Sequence, residues 1–214
     1  RNVLQSQINP HFLYNTLDSI RGQALMHNIP EIADMTESLS SIFRYSISRQ
    51  STMVPLRDEL RNIQIYFSIQ QYRFQNRFSM DVSCEDPSAL DCYLPKLTLQ
   101  PLVENCIFHG LELLDRPGHI YVDITLTSNR LLICASDDGC GIPEEKLLSL
   151  QRALREQKSA VSGTGHGVAL QNISARLRLV YGKEASMNLA SYPDHGTEIE
   201  FSVPVMRSVP EELQ

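Results

Sequence analysis

The sequence predicts an α+β protein in two parts, a helical N-terminal third and then one mixed sheet with helices largely on one face. Three observations carry this. From Val3 to about Arg77, apolar residues recur at helical spacing with almost no glycine. Beyond Arg77 the texture changes to short alternating runs at Ser79–Ser83, Ile120–Thr127 and Leu131–Ser136, with two more at Ala185–Ser191 and Glu198–Val203. Helical stretches at Lys96–His109, Pro143–Gln157 and Val168–Tyr181 interleave with those strands, the pattern of a sheet that buries one face under helices.

The first predicted helix carries Val3, Leu4, Ile8, Phe12, Leu13, Leu17, Ile20 and Ala24 on one stripe, and a break at Asn28-Ile29-Pro30 ends it. The second carries Ile32, Met35, Leu39, Ile42, Phe43 and Ile47, up to a break between Gln50 and Pro55. Two antiparallel amphipathic helices joined by a short turn cannot bury both stripes alone, so a second copy is expected to complete a four-helix bundle and the chain is expected to be a homodimer. A third helix through Leu56, Leu60, Ile63, Phe67, Tyr72 and Phe74 either extends the bundle or docks the next domain. The polar corner at Gln75 to Phe78 is expected to be a mobile hinge. Ser128-Asn129 joins two of the strands, and Pro193-Asp194-His195-Gly196 separates the last two.

At 214 residues and 42% hydrophobic content the chain can fill two modest cores. They are expected at 1–77 and 78–206, with 207–214 a disordered tail. Nineteen basic against 25 acidic residues, a net charge of −6, removes the basic excess that nucleic acid or an anionic membrane would attract. The five cysteines, Cys84, Cys92, Cys106, Cys134 and Cys140, show no metal-type spacing and read as reduced, buried thiols of a cytosolic protein. No run reaches the roughly 18 apolar residues that span a bilayer. Because Arg1 opens inside an already helical pattern, the chain reads as a piece whose upstream, signal-sensing part lies elsewhere.

Four stretches carry candidate chemistry. In Asn9-Pro10-His11-Phe12-Leu13-Tyr14-Asn15, Pro10 starts a helix with Asn9 as its cap or kinks a longer one. His11, Asn15 and Asp18 then share a polar face opposite the apolar stripe. A neutral imidazole there can attack phosphorus, and Asn15, one turn on, can hydrogen-bond the ring, a phosphoryl group or a water. By itself, a solvated surface histidine explains the same letters. In Glu104-Asn105-Cys106-Ile107-Phe108-His109-Gly110, Asn105 and His109 lie one helical turn apart, and an Asn carbonyl is a suitable hard ligand for Mg²⁺. The plainer account is a helix with His109 in its last turn and Gly110 as its C′ residue. In Asp137-Asp138-Gly139-Cys140-Gly141, at the end of a strand, a carboxylate can accept from an exocyclic amine, and Gly139 and Gly141 let backbone approach a flat ligand. A plain turn gives the same pattern. In Ser162-Gly163-Thr164-Gly165-His166-Gly167, running into a helix with Leu170 and Asn172, free amides face phosphates and the polar stretch before them suits a lid. It is neither a Walker loop nor a Rossmann turn.

The order of these motifs, closed by a strand after Gly196-Thr197, resembles that of LytS/YesM-like sensor histidine kinases over nearly the whole chain. Asn9 to Asn15 resembles the phosphoacceptor box, Glu104-Asn105 with His109-Gly110 the N box, Asp137 to Gly141 the adenine-contacting box, and Gly163 to Gly167 with Leu170 and Asn172 the second glycine box. The resemblance implies a helical phosphotransfer module followed by an α/β sandwich ATP-binding domain of the gyrase/Hsp90/histidine kinase type. ATP and Mg²⁺ would be its cofactors, and a response regulator aspartate its partner. His11 would accept the phosphoryl group, Asn105 hold Mg²⁺ and Asp137 contact adenine. Gly139, Gly141, Gly163, Gly165 and Gly167 would cradle the nucleotide, with His109, Gly110, Leu170 and Thr197 around it. The whole protein would be a bacterial inner-membrane sensor whose cytoplasmic portion this is. Phe12 stands where the commoner histidine kinases often carry an acid, which leaves the proton acceptor for His11 unassigned, with Glu104 a candidate base only if the domains bring it near. Asp138 replaces the usual Asn beside Asp137 and is expected to face solvent or raise a neighbouring carboxyl. The rival readings are a serine kinase of the same ATP fold and a dimeric scaffold that binds nucleotide without catalysis. A metal site from His109, His119 and His166 lacks close ligand spacing.

Overall fold

A computed structural model describes residues 9–48, 52–156 and 166–213. Helix α1 (Pro10–Met26) begins with proline at its first position, and the Asn9 side chain accepts the His11 amide at 3.0 Å. Pro10 thus stands at the first position of α1 with Asn9 as its cap, while Val3, Leu4 and Ile8 of the predicted stripe lie outside the described residues. After Asn28, in left-handed backbone, α2 (Pro30–Ile47) starts the same way, with Glu31 in its first turn and Arg44 in its last, signs that suit the helix dipole. The two helices pack as a hairpin. They bury Leu17 and Ala24 on one helix and Ala33, Thr36 and Ser40 on the other, mostly small side chains that allow close approach. An Arg21–Glu37 ion pair at 2.9 Å and Arg44 over the Tyr14 ring tie their outer edges.

Helix α3 (Leu56–Arg73) docks on the second part of the chain. Its Leu56, Leu60, Ile63, Tyr66 and Phe67 are buried in one core with the main sheet. The boundary expected after Arg77 coincides with the start of a strand, yet α3, on its N-terminal side, shares the core beyond it. A two-stranded ladder of β1 (Met53–Pro55) and β3 (Tyr93–Pro95) fixes the entry to α3, where the Leu56 amide donates to the Cys92 carbonyl at 2.8 Å. At Gln75 to Phe78, where a hinge is expected, the chain turns a packed corner. Gln75 and Asn76 take left-handed backbone, the Phe74 and Phe78 rings lie 4.9 Å apart, and the Arg77 guanidinium donates to the Glu112 carbonyl at 2.9 Å.

The main sheet runs in the order β2 (Phe78–Cys84), β4 (Gly118–Leu126), β5 (Arg130–Asp137), β7 (Gly196–Pro204), β6 (Ser186–Tyr192). Only the β2–β4 pair is parallel, so the sheet is mixed as predicted. Alternation puts Ile120, Val122 and Ile124, Leu131, Ile133 and Ala135, and Ile199, Phe201 and Val203 on the buried face. Each of the larger side chains contributes roughly 1.5–3 kcal/mol by leaving water. Asp81, Asp123, Glu198 and Glu200 alternate with them toward the other, solvated face. Helices α3, α4 (Gln100–Asn105), α5 (Glu144–Glu156) and α6 (His166–Tyr181) bring their apolar residues to the buried side.

The helix predicted at Lys96–His109 starts late and ends differently. Leu97 is left-handed, α4 begins only at Gln100, and the chain passes without a break into a π-helical turn, Cys106–Leu111. Gly110 therefore lies inside that turn instead of capping a helix. The tail expected to be disordered returns to the body. Residues 211–213 form a short helical turn, Leu213 and Val209 pack on the core, and the Thr52 hydroxyl donates to the Leu213 carbonyl at 2.8 Å. All five cysteines are free thiols, Cys92 and Cys106 buried and the others half-buried. No helix among the described residues is long and apolar enough to cross a membrane.

Candidate active site

A pocket opens where the ends of β5 and β7 meet the π turn and α5 and α6. Asn105, His109, Gly110, Asp137, Leu170 and Thr197 line it, with apolar walls from Ile142, Leu150, Leu189 and Ile199. The sheet register sets Asp137 directly opposite Thr197. Asp137 is 7% exposed. Its carboxylate accepts the Gly139 amide at 2.9 Å, and the Cys106 thiol and the Thr197 backbone also donate to it. Burial outweighs those bonds and pushes its pKa up to about 6. Asp138, which the sequence left either exposed or pressing on Asp137, turns away. It pairs with Arg116 at 3.1 Å and accepts the His119 amide at 2.8 Å, and its charge is the smallest of the named influences on Asp137.

The glycines are there for the protein's own packing. A Cβ on Gly110 would run into the Asp137 carboxylate, and one on Gly139 into the Gly110 backbone. Gly141 clears the Tyr192 carbonyl. Gly139 and Gly141 thus make room for the π turn and the β6–β7 corner, a packing need that the sequence did not show. Cys140 completes the seam, its amide donating to the Gly110 carbonyl at 3.0 Å and its thiol to the His109 carbonyl at 3.2 Å.

Asn105 donates its side-chain NH₂ to the Pro101 carbonyl at 2.8 Å, an arrangement that reserves Oδ1 as an acceptor. Burial is the main cause that lowers the His109 pKa, with Lys146 adding to it, so the imidazole is neutral at pH 7. Glu104, next to Asn105, is absent from the pocket lining. It accepts from Gln100 at 2.9 Å, and Gln100 accepts from Asn62 of α3 at 2.8 Å. Gly167 opens α6 against Leu150, and buried Leu170 lies one turn on. Gly163 and Gly165, and the stretch suited to a lid, lie outside the described residues apart from Glu156.

His11 stands elsewhere, exposed on α1, and no described residue of α1 or α2 lines the pocket. Its Nδ1 meets the Asn15 amide at 3.1 Å. Among the described residues no group of three or more His, Cys, Asp or Glu side chains is placed to hold a metal ion. Sequence reading missed Ser191, whose hydroxyl joins the Ile142 amide (2.8 Å), the Gly196 carbonyl (2.8 Å) and the Thr197 hydroxyl (2.9 Å), bracing the wall around Thr197. A serine in a strand gives no one-dimensional sign of that.

A family model described as histidine kinase matches residues 1–78, and one described as histidine kinase-, DNA gyrase B- and HSP90-like ATPase matches residues 94–207. Sensor histidine kinase YesM of Bacillus subtilis (strain 168) is 35% identical over 209 residues, covering 97% of this chain and 33% of that protein. Sensor protein LytS of Oceanobacillus iheyensis is 36% identical over 204 residues, 94% of this chain and 34% of that one. Sensor histidine kinase YpdA of Escherichia coli (strain K12) is 30% identical, covering 96% and 34%. The chain thus spans about a third of the length of these relatives. Among solved structures, the catalytic domain of histidine kinase ThkA matches with a TM-score of 0.54 at 16% identity, over 72% of this chain and 97% of that one. The histidine kinase domain of a blue-light activated kinase from Erythrobacter litoralis matches at 0.51 and 16%, over 91% and 96%. These two likenesses are of fold. Sequence kinship over nearly the whole chain and a sheet whose buried aspartate faces the asparagine turn agree: the chain belongs to the sensor histidine kinase family of two-component systems, and residues 94–207 to its histidine kinase-, DNA gyrase B- and HSP90-like ATPase domain.

Proposed function

We propose that the chain binds ATP in the Asp137 pocket, transfers the γ-phosphoryl group to His11, and passes it to an aspartate of a response regulator. The observation that carries this is the pairing, on one chain, of a buried carboxylate acceptor beside Asn105 with an exposed histidine whose ring is held by a neighbouring amide. Asp137 accepts the adenine amine at the pocket floor, and Leu170, Ile142 and Leu189 sandwich the base away from water. Gly163, Gly165 and Gly167 give backbone amides to the phosphates, with Thr197 and neutral His109 at the rim. Oδ1 of Asn105 fits Mg²⁺, a hard cation that keeps most of its waters. Bound there, the ion neutralises phosphate charge.

His11 attacks through the nitrogen that Asn15 does not hold. The Asn15 NH₂ faces Nδ1; turned end for end, the amide oxygen would accept an Nδ1–H, and that tautomer leaves the Nε2 lone pair free to attack. The N–P bond forms as the bond from the γ-phosphorus to the bridging oxygen breaks, and ADP leaves. Glu104 is the candidate base, once it gives up Gln100. The phosphohistidine then donates to the regulator. Asn15 also suits the positioning of a water for the reverse, phosphatase reaction.

A second copy supplies what the hairpin lacks. Phe12, Ile20, Leu25, Met26 and Ile32 are exposed on α1 and α2, a stripe that a four-helix bundle would cover. The relatives are named sensor proteins and are about three times as long, which supports a cytoplasmic position within a membrane sensor.

Incubation with γ-labelled ATP and Mg²⁺ tests the reading. Label that is alkali-stable, acid-labile and absent from His11→Ala is expected. Acid-stable label would move the assignment to a serine kinase of the same fold. Nucleotide binding without label, in the dimer, would leave a scaffold.

A further inference from the structure

Glu59 belongs to α3 and is fully buried. A carboxylate out of water is costly unless its lone pairs are filled, and here four donors fill them. The amides of Leu97, Thr98 and Leu99 reach it at 2.7, 2.8 and 2.8 Å. The fourth donor is the Tyr45 hydroxyl, from the last turn of α2. Left-handed Leu97 turns the three amides inward, and Arg176 of α6 holds the outer side of the same loop through the Leu97 carbonyl at 2.6 Å. Lys96, next in the chain, donates to the Ser48 carbonyl at 2.9 Å and lies over the Tyr45 ring. One carboxylate therefore fixes the loop that launches α4, the helix carrying Asn105, and the same carboxylate grips the helix that is paired with the His11 helix.

We propose that Glu59 is a positioning residue for phosphoryl transfer, and that the Tyr45–Glu59 hydrogen bond is a latch holding the α1–α2 hairpin away from the nucleotide pocket. The second half rests on the proposed kinase function. The geometry gives its direction. No described residue of α1 or α2 lines the pocket, so a His11 of the same chain reaches a bound nucleotide only if the hairpin moves, and the corner at Gln75 to Phe78 is packed into the same body as α3. The place left is the seam between α2 and α3, where Tyr45 spans the gap. Releasing the hydroxyl removes one tie across that seam, beside the Lys96–Ser48 bond, and leaves Glu59 its three amides.

Tyr45→Phe and Glu59→Gln in the whole chain test this by four readouts. In Tyr45→Phe, a non-hydrolysable ATP analogue should bind within twofold of wild type with an unchanged melting temperature, while initial labelling of His11 rises three- to tenfold. Without nucleotide, exchange of the Leu97, Thr98 and Leu99 amides should quicken at least tenfold in Glu59→Gln, whose acceptor is weaker, and stay within twofold in Tyr45→Phe, which keeps the carboxylate and its three amide bonds. A merely structural hydroxyl would lower stability without raising the rate. Labelling that stays within twofold or falls, in a wild type that does label, overturns the latch. Unchanged exchange in Glu59→Gln overturns the positioning role. A wild type that takes no label at His11 sinks the kinase reading and the latch with it, and the exchange rates still decide whether Glu59 sets the loop.

Discussion

The two ends of the proposed reaction are built in opposite ways. Around His11 every bond is local: Asn9 caps the helix two residues back, and Asn15 reaches the ring from one turn on. Around Asp137 the bonds are long-range, joining a strand end to a π turn about thirty residues earlier and a strand sixty residues later. A group held locally keeps its geometry while its helix moves as a body. A group held by three distant elements fixes a cavity and cannot travel. The difference fits a nucleophile that must be carried to a nucleotide that stays in place.

Asp137 gives the largest expected break in that contrast. Asp137→Asn removes the ionised acceptor, and nucleotide affinity should fall about a hundredfold, the order of a charged hydrogen bond lost in a buried site. The same change should stabilise the empty fold. An unfolded Asp gives up its proton near pH 3.9, whereas folded Asp137 keeps it to about 6. Below pH 4 both states are protonated and the group is neutral toward stability. Between 4 and 6 the unfolded chain ionises first, so raising the pH erodes stability. Above 6 the full cost remains, on the order of 3 kcal/mol. Thermal melting of the two proteins should therefore show Asp137→Asn ahead at pH 7.5 and level near pH 4. A variant that melts lower throughout would mean the carboxylate is structural and not strained by burial. Nucleotide affinity of the wild type should itself weaken as the pH drops below 6.

Gly110→Ala sharpens the contrast from the other side of the carboxylate. The added methyl meets the Asp137 side chain, so it should cost about 1–3 kcal/mol in melting and at least tenfold in nucleotide binding. The local end should not notice. Helical signal from α1 and α2 and dimer formation should match wild type.

The local end was also the more legible one in the sequence. Asn9-Pro10 announces a helix start, and spacing by four puts Asn15 beside His11, since helical neighbours are neighbours along the chain. The sheet was legible for the same reason. Ile120, Val122 and Ile124 alternate strictly, and their strand came out within two residues of its place. What escaped was set by partners far along the chain. Three-residue strands such as β1 and β3 hold too little period to register. Cys106 to Leu111 has the letters of any apolar helix end, and only Asp137, packed against Gly110, shows why that end is widened to a π turn. Glu59 reads as an ordinary solvated helix charge until loop 97–99, some forty residues on, folds over it.

Asn15→Ala separates two uses of the local end. Autophosphorylation should stay within about threefold, because the ring can borrow water for its second nitrogen, while dephosphorylation of the regulator should drop about tenfold, the worth of one hydrogen bond that orients the attacking water. Unchanged dephosphorylation would remove Asn15 from the reverse reaction and leave it the tautomer role alone.

Asn9→Ala should be the mildest change. The cap contributes about 1 kcal/mol to the start of α1, and no long-range bond stands behind it. Amide exchange in the first turn, at His11 to Leu13, should accelerate several-fold, and labelling of His11 should fall two- to fivefold as the turn that carries the ring frays. Nucleotide affinity and the melting of the sheet should not shift, because the pocket shares no bond with that turn. A loss of nucleotide affinity in Asn9→Ala would show that the His11 helix helps to hold the pocket together, and the division between a carried nucleophile and a fixed cavity would have to be redrawn.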